Sequence, residues 1–182
     1  IAWNKGTIDV SAGEANAASG SVLISGPYAG QSGTILARGA DGATGGHVEV
    51  TSSKETILFS GSTIDVSGIG NSNAGSIRIW SDNNAIFAPN ASLVARGGEA
   101  GGNGGFIEFS SGNSFRFEGL VDTSAPKGTV GTFLLDPIFL FLIDGVSGTG
   151  DQDGNIFGGT LAFAAADTVN NTVSVGKLAS LG

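Results

Sequence analysis

The sequence predicts an all-β parallel β-helix built from three-strand coils of about 28 residues. Three observations carry that prediction. Glycine supplies 32 of the 182 residues, against only 4 Pro, no Cys and no Met. Three kinds of short, alternating, strand-like segment recur in a fixed order. Apolar residues never fall into the 3.6-residue spacing of an amphipathic helix over any long stretch.

The first kind of segment reads Thr7-Ile8-Asp9-Val10-Ser11, Thr34-Ile35-Leu36-Ala37-Arg38, Thr63-Ile64-Asp65-Val66-Ser67, Ser92-Leu93-Val94-Ala95-Arg96 and Leu120-Val121-Asp122-Thr123-Ser124, with steps of 27, 29, 29 and 28 residues. The second follows a glycine: Ser21-Val22-Leu23-Ile24, His47-Val48-Glu49-Val50, Ser76-Ile77-Arg78-Ile79, Phe106-Ile107-Glu108-Phe109 and Thr132-Phe133-Leu134-Leu135. The third reads Ile57-Leu58-Phe59, Ile86-Phe87-Ala88 and Phe115-Arg116-Phe117, with steps of 29 and 29. In the first coil Pro27-Tyr28-Ala29-Gly30 stands in place of the third strand.

Each segment has the two-residue period of a strand, and Gly, Asn and Ser fill the gaps as turn residues do. Stacked at about 4.8 Å per coil, five coils stand about 24 Å tall, with Ile8, Val10, Val22, Ile24 and their counterparts in inward columns. The stretches 39–46 and 97–105 fall at one corner in alternate coils, where glycine allows close backbone approach. No Gly-Lys-Ser/Thr follows them, so they are corners and not phosphate loops.

The outward positions carry charge in a pattern. Leu23, Glu49, Arg78, Glu108 and Leu134 form one column, in which Glu49–Arg78–Glu108 reads as a structural charge ladder. Asp9, Leu36, Asp65, Val94 and Asp122 form another, beside Ser11, Arg38, Ser67, Arg96 and Ser124. Carboxylates skip every second coil and arginines fill the gaps, giving a super-repeat of two coils.

Composition excludes several classes. Charged residues are 13% of the chain, the net charge is −8 and mean hydropathy is +0.21, too apolar for a disordered tail. Glycine does not recur every third residue, which excludes collagen. With no Cys there is no disulfide framework, and an acidic chain is poorly suited to nucleic acid. No apolar window reaches the length of a transmembrane helix. The sequence opens mid-pattern at Ile1-Ala2-Trp3, as expected of a piece of a longer chain whose own neighbouring coils, or another copy, cover its ends.

Several of these segments carry a family likeness: Gly-Ser-Thr-Ile-Asp-Val-Ser-Gly at 61–68, Trp80-Ser81-Asp82, Ala95-Arg96-Gly97-Gly98, Gly-Gly-Asn-Gly-Gly-Phe-Ile-Glu at 101–108, Val-Asp-Thr-Ser-Ala-Pro at 121–126 and Gly-Thr-Phe-Leu-Leu-Asp-Pro at 131–137. Together they resemble the filamentous haemagglutinin-like exoproteins of two-partner secretion, over roughly residues 6 to 144. The resemblance implies a right-handed β-helical shaft, secreted or held at the surface of a Gram-negative bacterium, with structural or adhesive use. It also implies an outer-membrane secretion pore as partner, and a host or matrix glycan or protein as possible ligand. These motifs identify an architecture and not a binding specificity.

Residues 138–143 (Ile-Phe-Leu-Phe-Leu-Ile) are apolar on both faces, which predicts burial under the segment that follows. The alternative is an exposed strip used in assembly, with Phe139 and Phe141 as its contacts. A boundary is expected near Asp144, between coils at 1–143 and a β-rich extension at 144–182 with strand candidates at 159–163 and 171–175.

Candidate chemistry is sparse. Asp151, Asp153 and Asn155 place oxygen ligands at alternate positions, the front half of a calcium loop, but no distal Glu follows; a plain acidic turn is the simpler reading. No other cofactor is implied. His47 is the sole histidine and reads as a surface residue. Trp80 and Tyr28, expected to be exposed, could stack on sugar rings or pack a corner. Outward carboxylates alternate with other residues and do not cluster as in a polysaccharide lyase, so a non-enzymatic shaft is the leading reading. A glycan-binding module is the second, and a polysaccharide lyase or hydrolase on the same fold the third.

Overall fold

The computed structural model describes residues 1–137, 141–148, 156–157, 160–161, 172–174 and 176. Through residue 137 the chain is a parallel β-solenoid of five coils. One wall is a five-stranded parallel sheet of β2 (Thr7–Asp9), β4 (Thr34–Leu36), β6 (Thr63–Asp65), β9 (Ser92–Val94) and β12 (Leu120–Asp122). The other two walls belong to one bent parallel sheet. Its path runs β1 (Ala2–Asn4), β3 (Ser21–Gln31), β5 (His47–Leu58), β7 (Ser76–Ser81), β10 (Phe106–Ser111) and β13 (Thr132–Pro137). β8 (Asn84–Phe87) and β11 (Ser114–Phe117) complete the third wall, where β5 pairs with β8 and β8 with β11.

In the first two coils the second and third walls form one continuous strand; later they separate at Asp82-Asn83 and Gly112-Asn113. The register is the one the alternation demands. Ile8 pairs with Ile35, Ile35 with Ile64, Ile64 with Leu93 and Leu93 with Val121. Ile35, Val48, Val50, Ile64, Ile77, Ile79, Leu93 and Ile107 are buried in one continuous core. Near the first coil that core is partly polar: Asn4 Nδ2 donates to Gln31 Oε1 at 2.9 Å, and the buried Gln31 donates onward to the Gly33 carbonyl at 2.8 Å. In the third and fourth coils it is aromatic. Phe87, Phe109 and Phe117 meet at centroid distances of 5.1 to 5.7 Å, with Phe115 and Phe133 packed beside them.

Two expectations need correction. Tyr28-Ala29-Gly30-Gln31 does not replace the third strand of the first coil; it is that strand, paired with Glu55–Leu58. Ala29 and Gln31 face inward, and only the turn differs, Pro27 standing where the next coil has Ser53-Lys54. The last third-wall segment is also shifted by one place. Arg116, not Phe115, pairs with Ile86, so Phe115 packs on the core beside Phe109 while Arg116 faces out. A one-residue slip exchanges the faces of a strand.

Beyond residue 137, β14 (Phe141–Ile143) pairs in parallel with β17 (Thr172–Ser174), and β15 (Ile156–Phe157) pairs antiparallel with β16 (Thr160–Leu161). The parallel pair joins strands on the two sides of Asp144.

Candidate interaction surface

The corner between the second and third walls is built from hydroxyls. Ser52, Ser81 and Ser111 stack there and are buried. Ser52 Oγ and Ser81 Oγ lie 3.0 Å apart, and Ser81 Oγ accepts from the N–H groups of Asn83 and Asn84, turning the chain. Buried Thr56 donates to the Trp80 carbonyl at 2.7 Å. These bonds satisfy polar groups that the bend removes from the sheet ladder. They also fix the backbone that carries Trp80.

Trp80 points outward in a column with Ser25, Thr51 and Ser110, all small, so no neighbouring coil supplies an aromatic ring to cover it. It is half-buried and not freely exposed as the sequence suggested. Its indole N–H donates to Asp82 Oδ1 at 2.7 Å, and the Arg78 guanidinium lies 5.3 Å from the ring centre. Arg78 is itself held from both sides, by Glu49 at 2.9 Å and Glu108 at 3.3 Å. An aromatic held by Asp82 and by an arginine that is itself clamped by two carboxylates is a rigid surface feature.

Two grooves open at this corner and share Ser53. One, of about 460 Å³, is lined by Pro27, Thr51, Trp80 and Asp82 among others. The second, of about 550 Å³, is lined by Tyr28, Lys54, Glu55 and Asn84. Tyr28 is 44% exposed, with the Lys54 ammonium 5.6 Å from its ring centre. Glu55 Oε1 accepts from Asn84 Nδ2 at 2.8 Å, and Asn84 Oδ1 accepts from Ser114 Oγ at 2.9 Å, so the floor is a hydrogen-bonded ladder.

The first wall carries a repeating polar device. Asp9, Asp65 and Asp122 each accept, through Oδ1, from the N–H of the serine two residues on, at 3.0, 2.9 and 2.9 Å. Ser11 and Ser67 then accept from the backbone N–H of Arg38 and Arg96 in the following coil. Each arginine reaches on to the next aspartate, Arg38 to Asp65 at 2.6 Å and Arg96 to Asp122 at 3.4 Å. The N–H of Ser11 holds the Asp9 carboxyl below the usual carboxylate range, helped by the Ser11 hydroxyl and the charge of Arg38.

A third groove, about 820 Å³, runs along the glycine corner past Gly46, Gly75, Gly105 and Gly131. His47 and Phe106 stand on its rim. His47 is exposed, with Nδ1 2.8 Å from Ser76 Oγ.

The corner thus brings together Trp80, Tyr28, Arg78, Glu49 and Glu108, which the sequence singled out separately. Asp82 and Lys54 were not anticipated; their proximity follows from a turn geometry that strand periodicity does not encode. Asp151, Asp153, Asn155 and Phe139 lie outside the described residues, and Phe141 is described only as the first residue of β14. Among the described residues, no group of three or more His, Asp or Glu is placed to hold a metal ion, and no helix is long and apolar enough to cross a membrane. No family model, curated protein or solved structure matches this chain.

Proposed function

We propose that this chain is a structural and adhesive shaft segment of a secreted or surface-exposed bacterial exoprotein, of the filamentous haemagglutinin-like kind its motifs resemble. The observation that carries the reading is the continuity of the ladders. Parallel backbone pairing runs from coil to coil on each wall, reinforced by hydroxyl and ion-pair contacts between neighbouring coils. Such a stack gains stability per coil and resists bending, which suits a part that holds distance and displays side chains at its corners. Secretion through an outer-membrane pore, with ligands in a host or matrix, belongs to the same proposal.

Immunogold electron microscopy of intact Gram-negative cells producing the parent protein tests it. Label on rods at the cell surface is expected, and label reached only after cell lysis overturns the reading. The corner grooves beside Trp80 and Tyr28 favour a glycan-binding module as the second reading. A polysaccharide lyase, the third, would release unsaturated products from acidic polysaccharides with a rise in ultraviolet absorbance.

A further inference from the structure

We propose that the corner carrying Trp80 and Tyr28 binds a neutral, uncharged glycan chain, the two rings serving as stacking platforms and the polar ladder that continues Tyr28's column as the hydroxyl reader. The proposal rests on the adhesive part of the shaft reading and assigns it a place and a ligand class.

Three observations converge on this corner. The first is how the rings are presented. Among the exposed rings, Trp3 stacks on Phe59 at 4.9 Å and 12°. The Arg78 guanidinium lies near the Trp80 ring and the Lys54 ammonium near the Tyr28 ring, and each ring borders an open groove. A sugar presents C–H bonds from one face of its ring, and an aromatic face receives them while the hydroxyls at the edge seek polar partners.

The second is preorganisation. Trp80 is fixed by its bond to Asp82, by Arg78 beside the ring and by Thr56 beneath its carbonyl. A platform already held in one geometry loses little conformational entropy on binding. Asp82 spends Oδ1 on the indole, which leaves Oδ2 as an acceptor for a sugar hydroxyl. Glu55, Asn84 and Ser114 supply further donors and acceptors in a row.

The third is charge, which selects the class of glycan. Asp82 lines one groove and Glu55 the other, and Glu49 and Glu108 flank Arg78, so four carboxylates stand against Arg78 and Lys54. Arg78 is already committed to two carboxylates. A sialylated, sulfated or uronic acid chain would meet net negative charge in a chain of net charge −8, while a neutral chain meets none of that repulsion. Two coils separate Trp80 from Tyr28, about 10 Å along the axis, so the ligand is a chain of several units and not a single sugar.

Isothermal titration calorimetry of the intact chain tests this, with linear tetrasaccharides of glucose, mannose, galactose and N-acetylglucosamine as probes, alongside a sialylated and a sulfated oligosaccharide. At least one neutral probe is expected to bind with a Kd below about 1 mM and more tightly than either acidic one. Trp80→Ala and Tyr28→Ala should each weaken it about tenfold, with circular dichroism unchanged. If Trp80→Ala fails to fold, Tyr28→Ala and Asp82→Asn carry the comparison. Failure of all four neutral probes, tighter binding of an acidic one, or folded variants that bind as well as the parent overturns the site. Surface label in the immunogold experiment with no neutral glycan bound would reject this site and leave the shaft intact.

Discussion

Asp65 shows how a single side chain serves two coils. It is buried to 9% exposure, its Oδ1 takes the N–H of Ser67 and its Oδ2 takes Nε of Arg38 at 2.6 Å. Asp65→Ala strands the Ser67 N–H and the Arg38 charge together, a loss of about 2 kcal/mol. Arg38→Ala removes a partner that is itself 42% exposed and should cost no more than about 1 kcal/mol. Urea unfolding of the two variants gives the order directly. Asp9 adds a pH dependence. Its carboxyl is held below the ordinary range in the folded chain, so its contribution is complete above the unfolded-state pKa of about 3.9 and is lost as pH falls through the lowered native value. The stability difference between the parent and Asp9→Asn should therefore be largest near neutral pH and shrink in acid, as denaturation at pH 7 and pH 3 would register.

At the scale of the element, the glycine corner sets the tightest tolerance. A Cβ on Gly75 would collide with the carbonyl of Gly46 in the preceding coil, and the same holds for Gly105 against Gly75 and Gly131 against Gly105. Gly75→Ala should destabilise by more than about 2 kcal/mol, while Gly13→Ala, where no atom lies within 4 Å, should change stability by less than about 0.5 kcal/mol. Thermal unfolding of both separates close packing from glycine content as such. The wall strands were legible in the sequence because β-branched residues such as Ile35, Ile64 and Ile77 alternate with polar ones in a fixed period. The third wall was less so. Its inward residues in the first coil are Ala29 and Gln31, neither of which reads as core, and Gln31 is buried only because Asn4 and the Gly33 carbonyl satisfy its amide. In Phe115-Arg116-Phe117 the alternation was plain, but nothing local fixed which residue pairs with Ile86. At the candidate site the charge column was legible from alternation alone. The bond from Trp80 to Asp82 and the Ser53-Lys54 turn were not, because both depend on where the chain bends.

For the whole molecule, the two-coil phase of the charges is the organising feature. Glu49–Arg78–Glu108 on one wall and the Asp–Ser–Arg device on another both require neighbouring coils to differ and alternate coils to match. A shaft built this way can lengthen by pairs of coils without placing like charges together. Tandem duplication of residues 37–94 adds two coils, and both columns continue in phase through Glu49, Arg78 and their copies. Duplication of residues 66–94 adds one coil, but stacks Arg78 against its own copy at about 4.8 Å and breaks the alternation of aspartate and arginine. The urea midpoints of these two chains and the parent, measured side by side at low salt, test the account most directly. The two-coil chain should be more stable than the parent, and the one-coil chain should gain less per added coil or fall below the parent. An equal or larger gain per coil from the single duplication would contradict it.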